Sequence, residues 1–232
     1  MLTYQKTLIA SALAALALLA NAACAPLTGG ADASGDGGGT PPKPAAGGTA
    51  LAAVDALAVK GRAPRTGYER EKFGRAWVDV DRNGCGTRDD ILQRDLSGVR
   101  LADGRCKVAS GTLEDDPYTG GSIAYVRGRS KVDIDHVVAL SDAWQKGAQK
   151  WDPGTRLRFA NDPLNLLAVD SATNRRKSDG DAATWLPPNK AYRCTYVARQ
   201  VAVKKKYGVW VTSGERDAMK RVLTGCPEQR LP

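Results

Sequence analysis

The chain has 232 residues, with 34 Lys and Arg against 25 Asp and Glu, a formal net charge of +9 and one histidine. A single imidazole leaves one side chain of the kind best suited to proton transfer near neutral pH. The five cysteines include no C-x-x-C pair, which argues against a zinc ribbon or knuckle.

The N-terminus reads as a targeting segment. Lys6 precedes an apolar stretch of 13 residues, Leu8 to Ala20, too short for a membrane span of about 20 residues and of the length of an export signal. Two processing routes stay open for residues 1–24. Ala20-Asn21-Ala22 fits a small-x-small cleavage site, and Ala22-Ala23-Cys24 resembles the end of a bacterial lipobox. Asn21 stands where a lipobox usually has an aliphatic residue, whereas Cys24 is the odd cysteine and precedes a flexible tether. Lipidated, Cys24 would anchor the chain to the outer face of the cell membrane; cleaved, the chain would be secreted. Residues 25–58 are dominated by Gly, Ala, Pro, Thr and Asp. Such a composition cannot repay its ordering entropy, and a disordered linker is expected.

Residues 59–232 are about the size of one domain, without internal repeats, and are expected to act as a monomer. Residues 1–59 hold two Lys and three Asp, leaving 32 basic and 22 acidic side chains beyond them, a net of +10. That excess favours polyanionic partners, either nucleic acid or anionic envelope polymers. Four cysteines remain: Cys85, Cys106, Cys194 and Cys226. In an exported chain they read as two disulfides. Of the three pairings, Cys85–Cys106 with Cys194–Cys226 is favoured, because each would join neighbouring segments.

Tyr68, Phe73 and Trp77 fall near helical spacing and read as a core stripe. The run Asp79 to Asp90 places oxygen donors Asp79, Asp81, Asn83 and Asp90 as in a calcium loop, with Gly84 at the sixth position. The twelfth residue is Asp instead of Glu and Cys85 lies inside the loop, so an Asx- and Gly-rich turn closed by a disulfide competes with calcium binding. Short strands are expected at Val99 to Leu101, Cys106 to Val108, Ile123 to Val126 and Lys131 to Asp135, with Asp116-Pro117-Tyr118-Thr119-Gly120-Gly121 as a turn. Helical pieces follow at Ala139 to Trp151, with Ser141 as N-cap, and around Arg156 to Phe159. Leu164 to Val169 reads as a strand, and Ser171 to Lys177 as a short helix capped by Asp170 or Ser171. Trp185-Leu186-Pro187-Pro188 breaks the chain. Ala191 to Lys206 reads as a helix closed by Gly208, and Thr212-Ser213-Gly214-Glu215 opens a last helix in capping-box form. The expected class is α+β.

His136 lies in Asp133-Ile134-Asp135-His136-Val137-Val138, at the end of a strand-type run. Hydrolysis of a phosphodiester needs an activated water and neutralisation of charge on the phosphoryl and leaving oxygens. A neutral imidazole can take the water's proton, and a hard divalent ion, Mg²⁺ before Mn²⁺, can serve the rest through oxygen ligands such as Asp135 and Asn174. Neighbours in a straight strand point to opposite faces. For Asp135 and His136 to share a substrate, the strand must end or bend there.

Asp135-His136, Asn165 and Asn174-Arg175-Arg176-Lys177-Ser178-Asp179 resemble the HNH (His-Me finger, ββα-metal) endonucleases. The last string is similar to the form in the HNH domain of RNA-guided CRISPR nucleases, and the text from Tyr68 to Pro188 is similar to exported HNH-family proteins of actinobacteria. The resemblance implies a ββα core at about 132–179, embedded in a small mixed domain with C-terminal helices. It implies His136 as general base, Asp135 and Asn174 as metal ligands, Asn165 as the residue fixing the catalytic loop, and Arg175, Arg176 and Lys177 on phosphates, with nucleic acid, DNA before RNA, as substrate. The competing reading is an envelope-tethered module that binds anionic polymers without chemistry. A serine or cysteine hydrolase is disfavoured, since no nucleophile sits in an elbow motif and the cysteines pair.

Overall fold

A computed structural model describes residues 48–232. The leader, Cys24 and the linker up to 47 lie outside the described residues. Helix α1, Ala50–Asp55, is capped by the Thr49 hydroxyl, which accepts from Ala52 N. Ala50, Ala53, Val54 and Leu57 are buried. The linker expected to extend to 58 therefore ends before this helix: an alanine-rich stretch becomes core once other helices offer it an apolar face. Those helices are α6, Arg193–Tyr207, and α7, Ser213–Thr224.

The aromatic stripe at 68–77 is not a regular α-helix. It contains one 3-10 turn, Arg70–Phe73, and Trp77 has a φ of 60°. Phe73 still reaches the core beside Trp144 and Phe159. Helix α2, Thr87–Asp95, follows, then the strands β1, Ser97–Leu101, β2, Val108–Leu113, and β3, Ile123–Val126, which form an antiparallel sheet in that order. Each of the first two strands starts or extends beyond its expected bounds, and α2 was not expected, because only two of its nine residues, Ile91 and Leu92, supply the apolar face.

A second sheet pairs β4, Val132–His136, with β5, Leu166–Asp170, antiparallel, with Asp135 opposite Leu167 and His136 opposite Leu166. Between them lie α3, Leu140–Gln145, and α4, Pro153–Ala160, the latter capped by Asp152. Ala139, not Ser141, is the N-cap of α3. Helix α5, Ser171–Lys177, leaves β5 at once, with the Asp170 carboxylate accepting from Thr173 N at 2.7 Å. Two strands and a helix in this order form a ββα unit. A two-stranded sheet is marginal alone; here Val132, Ile134, Leu166 and Ala168 pack on α2 and the first sheet, while Leu167 and Val169 join the core of α1, α6 and α7. The outer edge of β5 is covered, since Arg94 donates to Leu166 O and the Asp95 carboxylate accepts from Ala168 N.

Two disulfides, Cys85–Cys106 and Cys194–Cys226, span 21 and 32 residues. By loop-closure entropy each should contribute about 3–4 kcal/mol. Urea unfolding with and without dithiothreitol should show a clear drop in midpoint. An unshifted midpoint, with all four thiols reactive in the native protein, would refute the pairing. The class is α+β, as expected.

Candidate active site

The strand β4 ends at His136, and this termination resolves the facing problem: Asp135 and His136 both line one cavity of about 360 Å³. Its walls also include Arg65, Tyr68, Arg70, Ser141, Asn174 and Asp179. The His136 ring is almost wholly buried, with Nε2 2.8 Å from Ala160 O. A carbonyl only accepts, so Nε2 carries the proton in the neutral ring and Nδ1 keeps its lone pair. Burial drives the imidazole pKa down to about 4, outweighing the Ala160 carbonyl and Asp135, which favour the charged form; Arg70 and Lys177 lower it further. The ring is a neutral, oriented acceptor at physiological pH.

Asn165 is fully buried and braces the loop after the histidine. Its Oδ1 accepts from Val138 N at 2.8 Å, and its Nδ2 donates to Val138 O at 3.2 Å. Asn165 also carries a backbone bond, its carbonyl accepting from Val137 N. It meets the backbone and not the cavity, as a positioning residue would.

Asp135 is held by two groups the motif did not announce. The hydroxyl of fully buried Tyr118 donates to Oδ2, and the Lys177 ammonium lies 3.1 Å from Oδ1 and 3.0 Å from Oδ2. Lys177 also donates to His136 O at 2.9 Å and is 2% exposed. Its expected place on phosphate is therefore corrected: the ammonium is spent inside the fold, tying the last turn of α5 to the end of β4. Helical spacing carried the signal. Residues three apart share a helix face, so an Asn174 turned to the strand brings Lys177 with it and sends Arg175 and Arg176 outward. Both arginines are exposed, neither lines the cavity, and Arg176 donates to Thr173 Oγ1 at 2.7 Å. Tyr118 had no local signal beyond its turn, which Asp116 fastens to β5 by accepting from Asp170 N.

Asn174 Nδ2 donates to Asp133 Oδ2 at 3.4 Å, which turns the amide so that its Oδ1 accepts no hydrogen bond among the described residues. Asp135 Oδ1 keeps a lone pair beyond its bond to Lys177. Asp135 and Asn174 both line this polar cavity, and a carboxylate and an amide carbonyl are oxygen donors of the kind that Mg²⁺ or Mn²⁺ takes in preference to a soft ion. Directly after α5, Ser178 adopts φ 53° and ψ −125°, unusual for a residue with a side chain. That turn delivers Asp179 to the cavity rim, where its Oδ2 accepts from Ser141 Oγ at 3.0 Å.

The calcium-type loop is organised differently. The Asp79 and Asp81 carboxylates accept from Asn83 N, Asp79 also accepts from Gly84 N, and the Asn83 amide donates to Asp81 and Asp90. These are Asx turns, pinned by the neighbouring disulfide. Among the described residues, no three His, Cys, Asp or Glu side chains gather as metal ligands.

Comparison with known proteins gives two matches. The model of the family described as GmrSD restriction endonucleases, C-terminal domain, matches residues 86–222. An "uncharacterized secreted protein" of Arthroderma benhamiae is 39% identical over 189 residues, covering 81% of this chain and 89% of its own length.

Proposed function

Because the chain belongs to the family of GmrSD restriction endonuclease C-terminal domains, we propose that it is an exported, metal-dependent endonuclease of HNH type that hydrolyses phosphodiester bonds, DNA in preference to RNA. The observation that carries this reading is His136, a buried neutral imidazole whose Nε2 is committed to a carbonyl while the ring lines the same cavity as Asp135 and Asn174. Export is supported by the secreted relative, the two disulfides and the leader-type N-terminus.

In the reaction, Nδ1 of His136 takes the proton of the attacking water, and the Ala160 carbonyl stabilises the imidazolium that forms by accepting from Nε2. Asn165 keeps the loop beyond the histidine from shifting. Tyr118 and Lys177 fix the Asp135 carboxylate, and Asp133 fixes the Asn174 amide. Asp135 and Asn174 would hold a divalent ion, which when bound would supply charge neutralisation for the phosphate and the leaving oxygen. Arg175 and Arg176, exposed on α5, serve phosphates flanking the cut.

The test is plasmid digestion by the purified, disulfide-bonded chain with Mg²⁺, Mn²⁺ or EDTA. Metal-dependent nicking and linearisation are expected; gel retardation without cleavage in any metal would instead make the chain a binder of anionic polymers. Asn174→Ala should shift the Mg²⁺ concentration for half-maximal rate upward about tenfold or more, the loss of one ligand-strength interaction. An unchanged Mg²⁺ titration would remove Asn174 from the ligand set.

A further inference from the structure

The cavity holds two carboxylates, Asp135 and Asp179, and a phosphodiester entering it needs a cation to meet it. None of the three basic residues of α5 supplies one: Lys177 is consumed by Asp135 and the His136 carbonyl, and Arg175 and Arg176 lie outside the walls. The cations that do line it, Arg65 and Arg70, come from a segment before residue 86, outside the part of the chain that the family model matches.

These two arginines are not equivalent. Arg65 stands 3.9 Å from Asp179 and lies over the Tyr68 ring, 5.1 Å from its centroid. Arg70 has no carboxylate or hydrogen-bond partner among the described residues, and is exposed. It also lines, with His136, the narrow recess formed by Phe73, Trp77, Leu140 and Ala160. An unpaired guanidinium in a cavity whose carboxylates, Asp135 and Asp179, already have cation partners is placed to donate to a phosphate bidentately.

The segment that carries it is held in place before any substrate arrives. Arg62 pairs with Asp142 at 2.9 Å and Asp181 at 2.6 Å, Ala63 N donates to Gln145 O, Trp144 Nε1 donates to Thr66 O, and Phe73 is buried in the core. Preorganisation of this kind removes an ordering cost from binding.

We propose that Arg70 is the phosphate-binding residue of the cleavage site, seconded by Arg65, and that the arm from Arg62 to Phe73 acts as the clamp for the phosphodiester backbone. This rests on the nuclease reading. It assigns substrate grip to a part of the chain separate from the family domain that carries the base and the metal ligands.

The experiment measures binding of a short fluorescein-labelled DNA duplex, and of the same labelled strand alone, by anisotropy in EDTA across a salt series. Cleavage is followed in Mg²⁺ in parallel. Arg70→Ala should weaken binding about tenfold and reduce the slope of log affinity against log salt by about one, the mark of one lost phosphate contact. Cleavage should fall through kcat/KM with the melting temperature unchanged, because the side chain is exposed, and Arg70→Lys should recover only part of the loss. A larger effect from Arg70→Ala than from Arg175→Ala is expected. If the unaltered chain cleaves in Mg²⁺ while Arg70→Ala binds and cleaves like it, the clamp is wrong and the nuclease stands. If the unaltered chain neither binds nor cleaves either probe, the nuclease reading and the clamp fall together.

Discussion

Replacing His136 by alanine is expected to slow cleavage about a hundred- to ten-thousand-fold, the range contributed by a positioned general base. No other imidazole exists to substitute for it. The ring is buried and donates to Ala160 O, so alanine also leaves a cavity and an unpaired carbonyl. His136→Gln, whose amide can still donate toward that carbonyl, separates the two effects: it should retain more stability than the alanine variant and be as inactive. Turnover within a few fold of wild type in either variant would remove His136 as the base. Stability in EDTA offers an independent readout. The folded pKa of about 4 lies below the ordinary 6.5. Between these values the unfolded chain binds the proton that the native one refuses. The stability associated with the neutral ring is therefore fully present above pH 6.5 and is lost as pH falls toward 4, by up to about 3 kcal/mol. In the glutamine variant that slope should vanish from this window.

The residues that could be read from the sequence are those whose meaning is local. Asp170 beside the apolar run Leu166 to Val169 signals a strand passing directly into a capped helix, and both are found. Gly208 closes α6 in the left-handed conformation that the glycine after Tyr207 implies. Thr212 caps α7 as expected, accepting from Glu215 N. Glu215 does not complete a capping box by reaching back, since its carboxylate is drawn into the interior by Lys146 and Lys204. That difference shows where local rules stop. Lys177 is polar and sits in a basic run, and only the position of Asp135 on the facing strand draws it inside. Arg65, Tyr68 and Arg70 enter the cavity through contacts with α3 made by residues distant in sequence, so no spacing marks them. Helix α1 falls in a stretch read as linker, because its alanine-rich sequence becomes core only against the faces of α6 and α7. Asp135, His136, Asn165 and Asn174 are named through their resemblance to the HNH endonucleases, and the structure sets them on the end of β4, the loop before β5 and the middle of α5.

Lys146→Met is expected to cost about 3–5 kcal/mol, the loss seen when one partner of a buried ion pair is removed. Lys146 Nζ lies 2.7 Å from Asp142, 2.8 Å from Asp181 and 2.6 Å from Glu215, while Lys204 lies 3.3 Å from Asp142 and 2.9 Å from Glu215. Arg62 adds a third cation against the three carboxylates. All but Arg62 are buried. Burial alone would raise the Asp142 pKa, but Lys204 and Lys146 overcome it and hold it below the usual range. Asp181 is lowered to about 2 by Lys146 and Arg62 against the same burial penalty. Lys204 is raised, Glu215 and Asp142 outweighing its desolvation. The methionine fills much of the lysine's volume, so the cost reads the unbalanced charge more than a void, and urea unfolding at neutral pH measures it. Adding Glu215→Gln removes one surplus carboxylate, and the double variant should lose less than the sum of the single losses. Strict additivity would mean the groups do not act as a cluster. The pH dependence has a definite sign at each end. Stability from Asp181 is present above its unfolded value of 3.8 and is lost as pH falls through about 2. Stability from Lys204 is present below 10.5 and is lost as pH rises past it. Because Asp142 lies on α3, Lys204 on α6, Glu215 on α7 and Arg62 on the arm, the cluster joins the arm to the C-terminal helices. Its weakening should release the Arg70 segment before the strands of the active site open, so in Lys146→Met hydrogen exchange at 62–73 should rise ahead of exchange at 132–136.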